Sequence, residues 1–179
     1  PKGTTATATL RECSFVGNQV EGSAPILATP KSGKSYLSEL RLEGVVFVAN
    51  EAAAGVEPWF TRALVVERGL VVEDKLARGW LSLQSPLVRV SLADSVLSSS
   101  SPLVELVTGP DVALLDFAPV EAKRCELRQP GAPDPSRIAA SECSNAAAYA
   151  RPSSRSPLDE AAKLGSTVDP KALVAALGL

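Results

Sequence analysis

The residues best spaced for chemistry lie in the stretch ILATPKSGKSYL, Ile26 to Leu37. Ala28-x-x-x-x-Gly33-Lys34-Ser35 fits a relaxed phosphate-loop pattern behind a short apolar run. In such a loop Lys34 would reach the β- and γ-phosphates of a nucleotide and Ser35 would hold its Mg²⁺. VALLD, Val112 to Asp116, imitates the strand whose acid, here Asp116, completes that site. The loop chemistry argues against the match. Backbone N–H groups wrap phosphates where glycine permits positive φ, and here Ala28 leads the loop and Lys31 fills its interior. SYLSELRLEG leaves room for only two helical turns before Gly44. Several strand-like runs separate the two motifs, without the crossover helices that a parallel α/β sheet needs. PKSGKS is therefore expected to be a charged surface turn. Lys34, Ser35 and Asp116 are disfavoured as a nucleotide site, and no cofactor is expected.

Other chemistries are constrained by what the chain lacks. It contains no His, so Ser-His-Asp or Cys-His activation and imidazole-ligated metal are excluded within it. The seven Asp are scattered, with no Asp-Asp or Asp-x-Asp pair to serve as acid and base on a sugar. Glu73-Asp74-Lys75 is the densest charge cluster, expected to be solvated at a turn. Cys13, Cys125 and Cys143 are too dispersed for a zinc cluster, so no metal site is expected. They read as small buried hydrophobes, with a Cys125–Cys143 bridge as the rival. Trp59, Phe60 and Trp80 are able to stack sugars or anchor an interface, though core packing is their default role. No catalytic residue is identified.

Composition sets the outer bounds. A chain of 179 residues with 45% hydrophobic and 21% charged residues has enough apolar material for a core. Its 18 basic and 20 acidic residues are well mixed, so no footprint for nucleic acid or an anionic membrane appears. Apolar runs such as Gly44–Ala49 are far too short to span a bilayer. With no Met, the chain reads as a processed product or a fragment, any targeting segment already removed.

The elements that must position these residues are short strands. VVFVAN, RALVVE, GLVVE, WLSLQ, LVRVSL, LVELV and VALLDF are Val- and Leu-rich and bounded by Gly, Pro, Ser or Asp. Few segments sustain a helical apolar period. Residues 1–127 therefore read as an all-β domain. Residues 128–157 read as a Pro/Ser/Arg-rich linker or tail, within which the Ala-rich Ile138–Ala150 could form a short helix or lie along the domain. Residues 158–179 read as two short helices. Ser156 caps the first, with Pro157 next, Asp159 and Glu160 in its first turn and Gly165 as its stop. Asp169 and Pro170 open the second, KALVAAL, which ends at Gly178. Both are too short to be stable alone. Leu158, Leu173, Val174 and Leu177 must therefore dock, on their own domain or on a partner chain.

One internal similarity stands out. Leu10-Arg-Glu-Cys13-Ser-Phe15-Val16-Gly-Asn18 aligns with Leu42-Glu-Gly-Val45-Val-Phe47-Val48-Ala-Asn50, and weaker echoes follow at Leu92–Leu97 and Ala122–Leu127. Repeats of this length signal stacked units that bury their faces against one another. The two phrases resemble the coils of right-handed parallel β-helices of the pectin-lyase-like superfamily, particularly polymorphic outer-membrane-protein-like repeats. The resemblance implies that Phe15 and Phe47 stack in the core and that Asn18 and Asn50 form a ladder at the bend. It covers residues 8–20 and 40–52, and later repeats lack both Phe and Asn. The expected fold is thus a right-handed parallel β-helix with a Pro/Ser-rich tail and two short C-terminal helices; another all-β sandwich or barrel is the alternative. The absence of Asn-Gly and Asp-Gly dipeptides disfavours a hairpin-built sandwich.

The function expected from this reading is a non-catalytic structural or scaffolding subunit whose faces and tail contact protein partners. Cell-surface adhesion or glycan binding is the second class, and a degenerate polysaccharide lyase or hydrolase the third. The resemblance implies an extracellular or cell-surface setting.

Overall fold

The computed structural model describes residues 6–29, 37–108, 117–146, 156–164 and 169–177. The chain is predominantly β, with parallel sheets and two short C-terminal helices. Its strands fall into layers. The first layer comprises β1 (Ala6–Arg11), β2 (Ser14–Val16) and β3 (Leu27–Ala28), and the second β4 (Leu37–Glu43), β5 (Val46–Val48), β6 (Glu51–Ala52) and β7 (Val56–Glu57). The third holds β8 (Thr61–Glu67), β9 (Leu70–Leu76) and β10 (Leu81–Leu83), and the fourth β11 (Arg89–Ala93), β12 (Val96–Ser99) and β13 (Val104–Leu106). Two shorter layers follow, β14 (Val120–Lys123) with β15 (Glu126–Arg128), and β16 (Ile138–Ser141) with β17 (Ser144–Ala146).

Within each layer the chain visits the sheets in rotation. The first sheet runs β1-β4-β8-β11-β14-β16 and the second β17-β15-β12-β9-β5-β2, with β6 also on β9; the third runs β13-β10-β7-β3. Every described strand pairing is parallel. Hairpins make antiparallel pairs, so none of these ladders is built from one.

The corner between the first and second sheets is made the same way in every layer. Two residues separate the two strands, and the first of them has left-handed backbone: Glu12, Gly44, Arg68, Asp94, Arg124 and Glu142, at φ 53, 61, 57, 52, 52 and 55°. For a residue with a Cβ this conformation costs about 1–2 kcal/mol. The hydrogen-bond ladder nevertheless continues around the bend. Glu12 N donates to Glu43 O at 2.8 Å, Gly44 N to Glu67 O at 2.8 Å and Arg68 N to Ala93 O at 3.0 Å; Asp94 N and Arg124 N follow the pattern on Lys123 O and Ser141 O.

Inward-facing residues stack in columns. Leu10, Leu42, Val66, Leu92, Ala122 and Ala140 are register partners in the first sheet. Phe15, Phe47, Val71, Leu97, Leu127 and Asn145 are partners in the second, and Leu27, Val56, Leu81 and Val104 in the third. Most members of these columns belong to one buried core cluster, which also contains Trp80. The indole of Trp80 meets Phe47 edge-on, with centroids 5.8 Å apart.

Three expectations are corrected. First, the strand stack does not stop at residue 127. β16 and β17 lie inside the expected linker, because Ile138 buries itself on Val120 and the small residues after it pair in register with β14 and β15. The Pro-rich turn before them is also ordered. Asp134 Oδ1 accepts from Ser136 N and Oγ at 2.9 and 2.7 Å, and Gln129 Oε1 accepts from Leu103 N at 2.9 Å. Second, the SELRLE segment is strand rather than helix, since Leu40 and Leu42 alternate into the core. Third, the tail docks on its own domain. α1 (Pro157–Lys163) is capped by Ser156, whose Oγ accepts from Asp159 N at 3.4 Å. α2 (Pro170–Leu177) packs beside it. Leu173 and Leu177 are buried with Ala161 against Val46, Val48, Leu70 and Val72, the outward residues of β5 and β9. Those two leucines are therefore used up within the chain instead of reaching a partner. Val174 sits half-buried at the rim of this cluster, and the side chain of Leu158 lies outside the described part of the chain.

Layer contact is tightest where Trp80 crosses Gly55. A Cβ on Gly55 would lie 2.3 Å from the indole Cδ1 and 2.8 Å from the Trp80 carbonyl oxygen, a backbone atom already accepting from Val56 N. Gly55→Ala is expected to destabilise the fold by about 2–3 kcal/mol through overpacking. Gly22→Ala, at φ +73° with nothing within 4 Å of its Cβ, is expected to cost about 1 kcal/mol. Urea unfolding midpoints of the two variants check the ordering.

Candidate functional site

Two constellations emerge, one internal and one on the surface. The internal one is the column at the end of the second-sheet strands. Phe15 stacks on Phe47, with centroids 4.7 Å apart and planes at 16°. Asn18 donates to Asn50 Oδ1 through its backbone N (3.0 Å) and Nδ2 (2.8 Å). Asn50 repeats the arrangement one layer on, giving its N (2.8 Å) and Nδ2 (3.0 Å) to Asp74 Oδ1, while Nδ2 also donates to Phe15 O at 2.9 Å.

Asp74 is the member that sequence reasoning missed. Expected at a solvated turn, it sits in β9 and is 1% exposed. Its Oδ2 has no hydrogen-bond partner among the described residues. Burial pushes its carboxyl up to about 7, against the pull of the two Asn50 bonds. The signal was present in the sequence: Val66-x-x-Gly69-x-Val71-Val72-x-Asp74 is a third copy of the repeat, with acid for amide.

The surface constellation is a groove of about 740 Å³ where the third sheet turns into the first. Trp59 and Phe60 come from the bend between β7 and β8, and Gln84, Ser85 and Leu87 from the bend between β10 and β11. Arg62 and Arg89 flank it from the starts of β8 and β11. The volume is in the range that binds ligands or anchors partner side chains. Thr29 and Thr61, buried beneath, fix the first bend: Thr61 Oγ1 donates to Thr29 Oγ1 at 3.1 Å, and Thr29 Oγ1 donates to Trp59 O at 3.0 Å. Leu87 is 77% exposed, while Trp59 and Phe60 are half-buried. Among the described residues no carboxylate lines the groove, and neither arginine has an ion-pair partner there. A second recess of about 420 Å³ shares Arg89 and reaches Pro119 and Glu121. Of the three aromatic candidates, Trp59 and Phe60 meet at this surface and Trp80 is core. The arginines and Leu87 carried no motif that would have singled them out.

Other candidates stand apart from both. Lys34, Ser35 and Asp116 lie outside the described residues. All three cysteines are free thiols; Cys125 and Cys143 are neighbours in the stack, with Cys143 Sγ 3.3 Å from Cys125 N and burial raising the Cys125 thiol. Among the described residues no group of three His, Cys, Asp or Glu is arranged to hold a metal, and no helix is long and apolar enough to cross a membrane. Comparison of the chain with protein-family models, curated proteins and solved structures finds no significant match.

The buried acid gives a signed pH dependence. Its carboxyl binds a proton more tightly in the folded chain than in the unfolded one, where 3.8 is the ordinary value. The fold is thus favoured below pH 4, loses stability as pH rises towards 7, and levels off above it, by about 4 kcal/mol in all. Asp74→Asn keeps an acceptor for Asn50 and carries no charge. The variant is expected to match the parent near pH 4 and to exceed it by a few kcal/mol at pH 8. Urea unfolding of both chains at the two pH values checks this, because the other carboxylates cancel in the difference.

Proposed function

We propose that the chain is a right-handed parallel β-helix that acts as a non-catalytic scaffolding module, gripping a protein partner in the groove between Trp59 and Arg89. The rotation of the chain through parallel sheets supports the first part. Crossover connections between parallel strands take the right-handed path in about 98% of cases. The resemblance of the two Phe/Asn repeats to β-helix coils points the same way.

The observation that carries the functional part is the composition of the groove. Trp59, Phe60 and an exposed Leu87 stand beside two arginines that have no carboxylate partner among the described residues. Trp and Arg dominate the energetics of protein interfaces, and an exposed leucine adds apolar area that a sugar would use poorly. The fitting partner is a polypeptide segment that brings carboxylates for Arg62 and Arg89 and an apolar side chain for Trp59 and Leu87. α1 and α2 dock on the second sheet, and none of their described residues lines the groove.

A second reading, glycan binding at a cell surface, is favoured by Trp59 standing beside the amide of Gln84 and the hydroxyl of Ser85. The two readings separate in one experiment. A photo-crosslinking residue at position 87 of the full chain, irradiated in native extract, is expected to give one discrete polypeptide adduct. Its yield should fall more than tenfold in an Arg62→Glu/Arg89→Glu background that remains folded. An adduct that ignores the double substitution would sink the scaffold reading, and Arg62-dependent binding on a glycan array without any adduct would replace it with adhesion.

A further inference from the structure

The second residue of each corner forms a column of its own: Cys13, Val45, Gly69, Ser95, Cys125 and Cys143. Two thiols are therefore neighbours in successive layers. Lys123 partners Ser141 before the corner and Glu126 partners Ser144 after it, so Cys125 and Cys143 face each other in register. Adjacent strands stand about 4.8 Å apart, inside the roughly 4.4–6.8 Å Cα separation that disulfides span.

The side chains are already close. Cys143 Sγ accepts from Cys125 N at 3.3 Å, and Cys125 Sγ is directed to Lys123 O at 3.4 Å. A turn of the Cys125 side chain about its Cα–Cβ bond exchanges that weak contact for the sulfur beside its own backbone. Cys125 is 2% exposed and Cys143 half-buried, so Cys143 meets a dissolved reagent first. Cys13 holds the same place in the first layer, bonded to Arg11 O, but its neighbour in register is Val45.

The layer of β16 and β17 is the one that a covalent bond would steady. Ile138 is buried, while Ala139, Ala140 and Ser141 are exposed. Backbone bonds from Val120 N to Arg137 O, Arg124 N to Ser141 O and Ser144 N to Cys125 O hold it to the layer before. With few buried contacts, such a layer opens more readily than the Leu- and Val-filled ones.

We infer that Cys125 and Cys143 are a redox site, a dithiol that a low-molecular-weight disulfide converts into a bond stapling β16 and β17 to the stack. Cys143, as thiolate, attacks one sulfur of the small disulfide and expels a thiolate. Cys125 then gives its proton to solvent, attacks Cys143 Sγ and expels the second thiolate. Two protein thiols are oxidised to one disulfide, and the small disulfide is reduced to two thiols. Burial keeps the Cys125 thiol protonated, which makes the second step the slower one. The bond closes a loop that contains Pro130, Pro133 and Pro135, and it stabilises by restricting that loop in the opened chain.

The test exposes the full chain to oxidised glutathione, traps remaining thiols by alkylation and maps the peptides by mass. A Cys125–Cys143 disulfide is expected, with Cys13 left as a thiol or a glutathione adduct. Amide hydrogen exchange over Ile138–Ser141 should slow by at least about tenfold and recover on reduction. Cys125→Ser is the control. Ser95 fills the same place in the fourth layer, its Oγ bonded to Gly69 N and Ala93 O, so the variant is expected to fold. In it Cys143 should stop at the glutathione adduct and exchange should stay fast. An adduct that persists on Cys143 in the parent chain, or a disulfide that leaves exchange unchanged, overturns the inference. So does pairing no faster in the folded chain than in urea, which would credit proximity along the chain rather than the register of the layers.

Discussion

The structure depends on a parallel hydrogen-bond ladder that survives a sharp corner. Six successive layers turn from the first sheet to the second with one left-handed residue each, and in the first five its N–H is bonded to the next layer. Were that residue extended, the following strand would slip by one position and every inward side chain would face solvent. The corner tolerates Glu, Gly, Arg and Asp alike because the side chains there project outward. Asp94 and Arg124 use this freedom to form a two-pronged pair at 2.7 Å, although at such exposure the pair adds little stability. Backbone geometry, rather than any one side chain, is what the layers share.

With register fixed, the interior becomes a set of vertical series in which each layer contributes one residue. A series is stable when each member satisfies the next. The amide column obeys this until Asp74, an acceptor that takes both donors of Asn50 and passes none on. An acid there ends the donor chain, and the next residue in register is Ser99 rather than another amide. The consequence is a buried carboxyl with no second partner among the described residues, which answers by holding a proton close to neutral pH. One buried residue thus carries both the end of a structural column and a pH-dependent cost.

The same logic explains what was legible in the sequence. Layers one and two could be aligned because both keep Phe and Asn, and their 32-residue separation is uninterrupted. The third layer was hidden because Phe became Val, Asn became Asp and the separation fell to 24. The last layer is separated by only 18 from the one before and carries Ala, Cys and Asn in its columns. Without large apolar residues it has the composition of a linker, and only backbone pairing distinguishes it from one. Helix ends were legible because Ser156, Pro157 and Pro170 act locally. Where the helices dock was not, since the receiving residues Val46, Val48, Leu70 and Val72 belong to two different layers. The groove was illegible for the same reason: Trp59 and Leu87 are neighbours only because successive layers bend at the same height.

These unequal separations also say where binding chemistry has room to arise. The corner from the first sheet to the second is always two residues, the first of them left-handed, and has no length to spare. Variation in chain length must be absorbed in the bends beyond the second sheet, and the groove is made from two of the bends that lead back to the first sheet. Such bends are free to vary in sequence, yet here they are not free to move. Thr29 and Thr61 hold the Trp59 carbonyl from below, and β8 and β11 carry Arg62 and Arg89 on paired strands. A recognition surface needs side chains chosen for a partner and a backbone that does not lose entropy on meeting it. The ladder supplies the second requirement, which leaves the bend residues open to meet the first.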